Sequence, residues 1–182
     1  MSEILQDTSG AWGKLTSERT HDMAIQGGRP NNRQVVPYLM VRDGRAALDF
    51  YQKAFGAKVI YQAPMPGMTG IFAQFKIGES YLQLTDMPAY DPKGPRSPET
   101  LGGTSVVLEM YVDDVDKSFA RAVGLGGTPL LPPTDMFFGD RYCWVGDLWG
   151  HVWALAMVKE TLSEGEVQRR AEEFMVAMVK NK

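Results

Sequence analysis

The strongest constraint on the fold is an internal duplication. An offset of 71 residues lays the second half of the chain on the first, matching Val36 with Val107, Val41 with Val112 and Asp43 with Asp114. The same offset pairs Leu48 with Phe119, Gly56 with Gly127 and Leu84 with Leu155. Each half opens with a β-branched, aromatic-rich run, QVVPYLMV (34–41) and SVVLEMYV (105–112), which reads as a strand. An Asp follows, suited to capping a helix. In GRAALDFYQKAFG, apolar Ala47, Leu48, Tyr51 and Phe55 recur at helical spacing before a stopping glycine. VDKSFARAVGLGG repeats the element. Strand-like segments then close each half: 57–64, 70–78 and 79–86 in the first; TPLLPP, the run around FGDRYCWVGD, and HVWALAM in the second. One duplication of this length indicates two βαβββ modules within one domain, whereas solenoids repeat many short units.

The expected organisation is an arm over 1–33, a two-module domain over 34–160 (modules 34–86 and 104–158), and a C-terminal helix over 161–182. The arm is polar, ends in GGRPNNR, and has Trp12 as its main anchor. A Pro- and Gly-rich linker separates the modules. In the final helix, Ser163 and Glu166 fit a capping box, and Val167, Ala171, Phe174 and Met178 form an apolar stripe for a sheet surface or a second subunit.

Composition narrows the function. Nineteen Lys and Arg against 22 Asp and Glu give a net charge of −3, without the basic excess of a nucleic-acid binder. No apolar run approaches a membrane span. The opening MSEILQDTSG lacks the apolar core of a secretory signal, so the expected location is cytoplasmic. A single cysteine, Cys143, precludes an intrachain disulfide, and two histidines, His21 and His151, cannot build a His-rich metal site.

Three segments carry a family resemblance. VVPYLMVRDGRAALDFYQKAFGA and SVVLEMYVDDVDKSFARAV resemble the module openings of the vicinal oxygen chelate superfamily of glyoxalases, bleomycin-resistance proteins and dioxygenases. FFGDRYCWVGDLWGHVWALA is similar to the closing signature of its PhnB-like members. The resemblance implies an α+β fold in which paired βαβββ modules form a U-shaped mixed sheet around a cavity, helices outside, usually as a homodimer. It also implies where metal ligands would stand: a first-strand and a last-strand position per module, here Val36, Gln83, Val107 and Ala154. Val and Ala have no lone pair, and Gln offers only a neutral oxygen, whereas divalent metals want carboxylate, imidazole or thiolate. No metal and no cofactor are therefore expected.

If those implied positions, Val36, Gln83, Val107 and Ala154, line the cavity, strand alternation adds Tyr38, Met40, Tyr81, Glu109, Tyr111 and Val152, and Phe72 and Gln74 join from the middle strand. That lining suits a planar or aromatic ligand. Glu109 is the candidate catalytic residue, at a position where PhnB-like members often carry His. Enclosure in an apolar cavity would push its carboxyl pKa upward, toward a general base. The alternative is a carboxylate paired structurally with Arg141 or exposed at the cavity mouth. Arg141 is either a ligand clamp or a pair for Asp140 or Asp147. His151 reads as a turn-stabilising donor, Cys143 as inert, and Met65, Met68 and Met136 as candidates for a permissive pocket. Three functions compete. The leading one is a metal-free protein binding an aromatic or planar metabolite or antibiotic. The others are a metal-independent isomerase or lyase using Glu109, and a metal-dependent glyoxalase-type lyase or dioxygenase with relocated ligands.

Overall fold

The computed structural model describes residues 35–64, 69–87 and 93–180. The expected arm, with Trp12, and the loop residues Met65 and Met68 lie outside the described residues. The chain divides into Met1–Val35 and Val36–Lys182, and the account below concerns the second unit.

Asp43 accepts a hydrogen bond from the Ala46 amide at 3.0 Å and opens helix α1 (Gly44–Phe55). Its duplicate, Asp114, accepts from the Lys117 amide at 2.9 Å and opens α3 (Val115–Gly124). Both caps satisfy amides that the first helical turn leaves unpaired. The helices end differently. Gly56 closes α1 in the left-handed region at φ 69°, but the matched Gly127 lies beyond the end of α3. Gly127 is required for space: a Cβ there would stand 2.8 Å from the Ala122 carbonyl oxygen.

In the first module β1 (Tyr38–Met40), β2 (Lys58–Pro64), β3 (Ile71–Ile77) and β4 (Ser80–Thr85) form a sheet of order β1-β4-β3-β2. In the second, β5 (Val107–Tyr111), β6 (Thr128–Asp135), β7 (Asp140–Gly146) and β8 (Val152–Val158) form one of order β5-β8-β7-β6. In each sheet the first strand runs parallel to the last and the other pairs are antiparallel. The duplication extends to register: Tyr38 opposes Gln83 as Glu109 opposes Ala154, and Leu39 opposes Leu84 as Met110 opposes Leu155. The fold is α+β, as expected. The two expected βαβββ modules each form a four-stranded mixed sheet, with β1 and β5 as outer strands. β1 is also shorter than the run 34–41, because Pro37 has no amide hydrogen to extend a ladder.

Each sheet buries one face under its helices. Leu39, Phe75, Leu82 and Leu84 pack with α1, and Cys143, Val145 and Leu155 pack with α3. The two halves share one aromatic core. Tyr51 stacks on Phe75 with centroids 5.6 Å apart, and Phe55 meets Trp153 at 4.7 Å. Between the modules a short helix, α2 (Pro98–Leu101), interrupts the linker.

Helix α4 (Glu164–Lys180) has no fully buried residue. Only half of its expected capping box forms. Ser163 Oγ accepts from the Glu166 amide at 3.3 Å, while the Glu166 carboxylate turns to Arg169 and Arg170. Of the apolar stripe, Val167 and Ala171 are half-buried, Phe174 meets Phe137 at 5.4 Å, and Met178 is exposed. No helix among the described residues is long and apolar enough to cross a membrane.

Candidate functional site

The face of each sheet turned away from the helices collects most of the candidate residues. On the first sheet the cross-strand register runs Tyr61, Gln74, Gln83, Tyr38, with Phe72 and Met40 in the next row. Alternation therefore brings Tyr38, Met40, Phe72, Gln74 and Gln83 together. Phe72 is the aromatic centre: Tyr38 meets it edge-on at 5.9 Å and Tyr61 lies 6.3 Å away. Tyr61 was not legible from parity, because a bulge between Val59 and Tyr61 shifts the register of β2.

Gln74 is the anomaly of this face. It is only 9% exposed, and its Oε1 is a buried side-chain acceptor with no partner among the described residues. Buried polar atoms are almost always paired, so an acceptor left without a partner stands out. The surrounding rings leave that acceptor in an apolar setting, where a matched hydrogen bond gains most. Burial pushes the Tyr38 hydroxyl pKa up, opposed by the Thr85 hydroxyl, so Tyr38 remains a neutral hydroxyl here.

On the second sheet Val107, Glu109 and Tyr111 from β5 lie beside Ala154 and Ala156 from β8, with Tyr142 and Trp144 on β7. A chain of hydrogen bonds crosses the face. Trp144 Nε1 donates to the Tyr142 hydroxyl at 3.0 Å, and that hydroxyl donates to Glu109 Oε2 at 3.2 Å. Tyr111 donates to Asp140 at 3.1 Å. Burial raises the Tyr142 pKa, and the Asp140 carboxylate raises that of Tyr111. Parity placed Glu109 on the face away from the helices, but Glu109 is exposed there, and among the described residues the expected enclosure is not seen. Its partner is Tyr142, not Arg141.

Arg141 does not join this face. It opposes Met157 and shares the helix side of β7 with Cys143 and Val145. Its guanidinium binds Asp116 at the start of α3 and reaches Asp135 on β6 at 2.9 Å, fastening helix to sheet. These are not the carboxylates expected from the sequence: Asp140 faces the other way, and Asp147 serves the core. His151 is buried with Nδ1 3.2 Å from Asp147 Oδ2. Burial lifts the Cys143 thiol to about 11, so it carries little thiolate at neutral pH.

The metal positions implied by the resemblance do not fit a metal. Gln83, Val107 and Ala154 lie on the open faces, and Val36 precedes β1. The set provides one neutral amide oxygen and no anionic or imidazole donor. Among the described residues no group of three or more His, Cys, Asp or Glu is placed to hold a metal ion.

Comparison with known proteins agrees with this architecture. The family model described as "Glyoxalase/Bleomycin resistance protein/Dioxygenase superfamily" matches residues 33–155. An uncharacterised protein of Mycobacterium bovis is 36% identical over 133 residues, covering 72% of this chain and 88% of that protein. A glyoxalase family protein from Bacillus cereus superposes with a TM-score of 0.59 at 14% identity, covering 72% of this chain and 97% of that one. The fosfomycin resistance protein FosX from Mesorhizobium loti superposes with a TM-score of 0.51 at 18% identity, covering 75% and 98%. At these identities the structures speak to the fold alone. With the family model and the mycobacterial relative, they lead to one conclusion: the chain belongs to the glyoxalase/bleomycin resistance protein/dioxygenase superfamily.

Proposed function

We propose that this protein is a metal-independent, PhnB-like member of the superfamily that binds a small planar or aromatic metabolite or antibiotic through the open faces of its sheets. The observation that carries the reading is the unpartnered Gln74 Oε1 among the rings of Phe72, Tyr38 and Tyr61. A flat ligand carrying an N–H or O–H stacks on the rings and satisfies that acceptor. A homodimer belongs to the same proposal. Tyr38, Tyr111 and Trp144 are 43%, 62% and 38% exposed, and a second copy would convert open sheets into a closed cavity. A cytoplasmic location completes it.

Carbazole and 2-naphthol, titrated into protein dialysed against EDTA, test this reading. Saturable binding without added metal, weakened about tenfold or more by Gln74→Leu, supports it. Binding that needs a divalent metal, or that ignores the Gln74 substitution, overturns it.

A second reading rests on the Glu109–Tyr142–Trp144 chain, which holds a carboxylate ready to accept a proton beside aromatic rings. In that case the protein is an isomerase or lyase. Glu109→Gln then leaves ligand affinity within about tenfold but lowers turnover by roughly 10²–10⁴.

A further inference from the structure

A second concave site lies where the outer strands β1 and β5 approach the linker, and it shares Tyr38 and Met40 with the open face of the first sheet. It is a cleft of about 480 Å³, walled by Met40, Pro98, Leu101, Val106 and Leu108. The linker is latched over it by a backbone bond from the Glu99 amide to the Trp149 carbonyl at 3.1 Å. Gly150 permits that approach, because a Cβ there would stand 2.9 Å from the Glu99 nitrogen.

Two basic side chains line this cleft, together with the hydroxyl side chains of Tyr38, Thr104 and Ser105. Arg96 is exposed and makes no ion pair among the described residues. His151 is 8% exposed, and its Nδ1 faces Asp147 Oδ2 at 3.2 Å. Asp147 is itself immobilised by the amides of Trp149 and His151, both at 2.9 Å. A carboxylate at Nδ1 fixes the ring's orientation and tautomer, leaving Nε2 as the working atom. That Nε2 has no hydrogen-bond partner among the described residues, and the side chain, 10% exposed, lines the cleft.

We propose that the cleft is a binding site for a small organic acid with an apolar body. The carboxylate pairs with the Arg96 guanidinium at the mouth, beside the His151 ring that Asp147 holds in place, and the body packs on Met40, Leu101, Val106 and Leu108. The cleft shares Tyr38 and Met40 with the open face but not Gln74, so substitution of Gln74 separates the two readings.

The probe is 3-phenylpropionate, titrated calorimetrically, with the uncharged 3-phenylpropanol as control and the His151 ring nitrogens followed by NMR. The expected result is one acid bound per chain, a shift confined to His151 among the two histidines, and at least tenfold weaker binding of the alcohol. Arg96→Gln, at an exposed position, should weaken the acid about tenfold or more without loss of thermal stability. Gln74→Leu should leave this binding unchanged. Equal affinity for acid and alcohol, an unmoved His151 resonance, or indifference to Arg96→Gln would overturn the proposal. Failure of the acid to bind at about 10 mM in the dimeric protein also overturns it, since the cleft would then be closed by the second copy.

Discussion

The Tyr51 hydroxyl donates to Asp147 Oδ2 at 2.7 Å, joining a helix of the first module to the turn before the last strand of the second. The same oxygen accepts from Trp153 Nε1 at 3.1 Å. The other carboxylate oxygen takes two backbone amides. A buried carboxylate is costly unless its lone pairs are filled, and here the partners come from both modules. Asp147 therefore makes the packing of the two halves one cooperative event.

Tyr51→Phe should cost about 1–3 kcal/mol, the loss of one buried hydrogen bond to a charged acceptor. Asp147→Ala should cost about 3–5 kcal/mol, because it strands several buried donors at once. Denaturant unfolding of both variants checks the order, and equal losses would contradict the hub.

The acid limb of stability follows from the same group. Burial alone would raise the Asp147 pKa, but hydrogen bonds from His151, Tyr51 and Trp153 outweigh it and hold it below the ordinary 3.8. A depressed folded-state pKa means the contribution is complete above the unfolded value. It is lost as pH falls from about 4 through the lowered folded value. Urea midpoints measured from pH 6 down to pH 2 should fall in that window. A midpoint that holds steady across it would refute the assignment.

Gly150 sits at φ 85°, with the linker turn against its α-carbon. Gly150→Ala forces both a left-handed conformation and a clash with Glu99 and Pro98. The expected loss is about 1 kcal/mol or more, with displacement of the linker latch. Thermal melts and amide exchange at Glu99 read the two effects.

Gln74 should trade stability for function. Gln74→Leu removes an unsatisfied buried acceptor and keeps volume in an apolar setting, so it should be neutral or stabilising by about 1 kcal/mol. A substitution that destabilises the free protein by more than this would mean the amide is satisfied within the chain.

Truncation after Ser163 should leave the domain folded, because α4 contributes no fully buried residue. The proposed dimer has its own measurement: light scattering of the full chain should give twice the chain mass of 20.2 kDa. A monomer at micromolar concentration would refute it.

Which face each residue takes is local information. Backbone alternation and one offset suffice to put Tyr38, Met40, Phe72, Gln74 and Gln83 on one face, Glu109 and Tyr111 on the matching one, and Asp43 and Asp114 at helix starts. The register pairs Tyr38–Gln83 and Glu109–Ala154 repeat that offset in three dimensions. How buried a face is depends on what covers it, and no periodicity encodes that. Glu109 is exposed and Gln74 is not, although both sit mid-strand on equivalent surfaces. Partner choice is equally non-local. Arg141 found Asp116, and Tyr51 found Asp147 96 positions away, because packing brought those groups within hydrogen-bond range. Strand parity follows from the chain's own stereochemistry, whereas burial and pairing are decided only when distant segments compete for the same space.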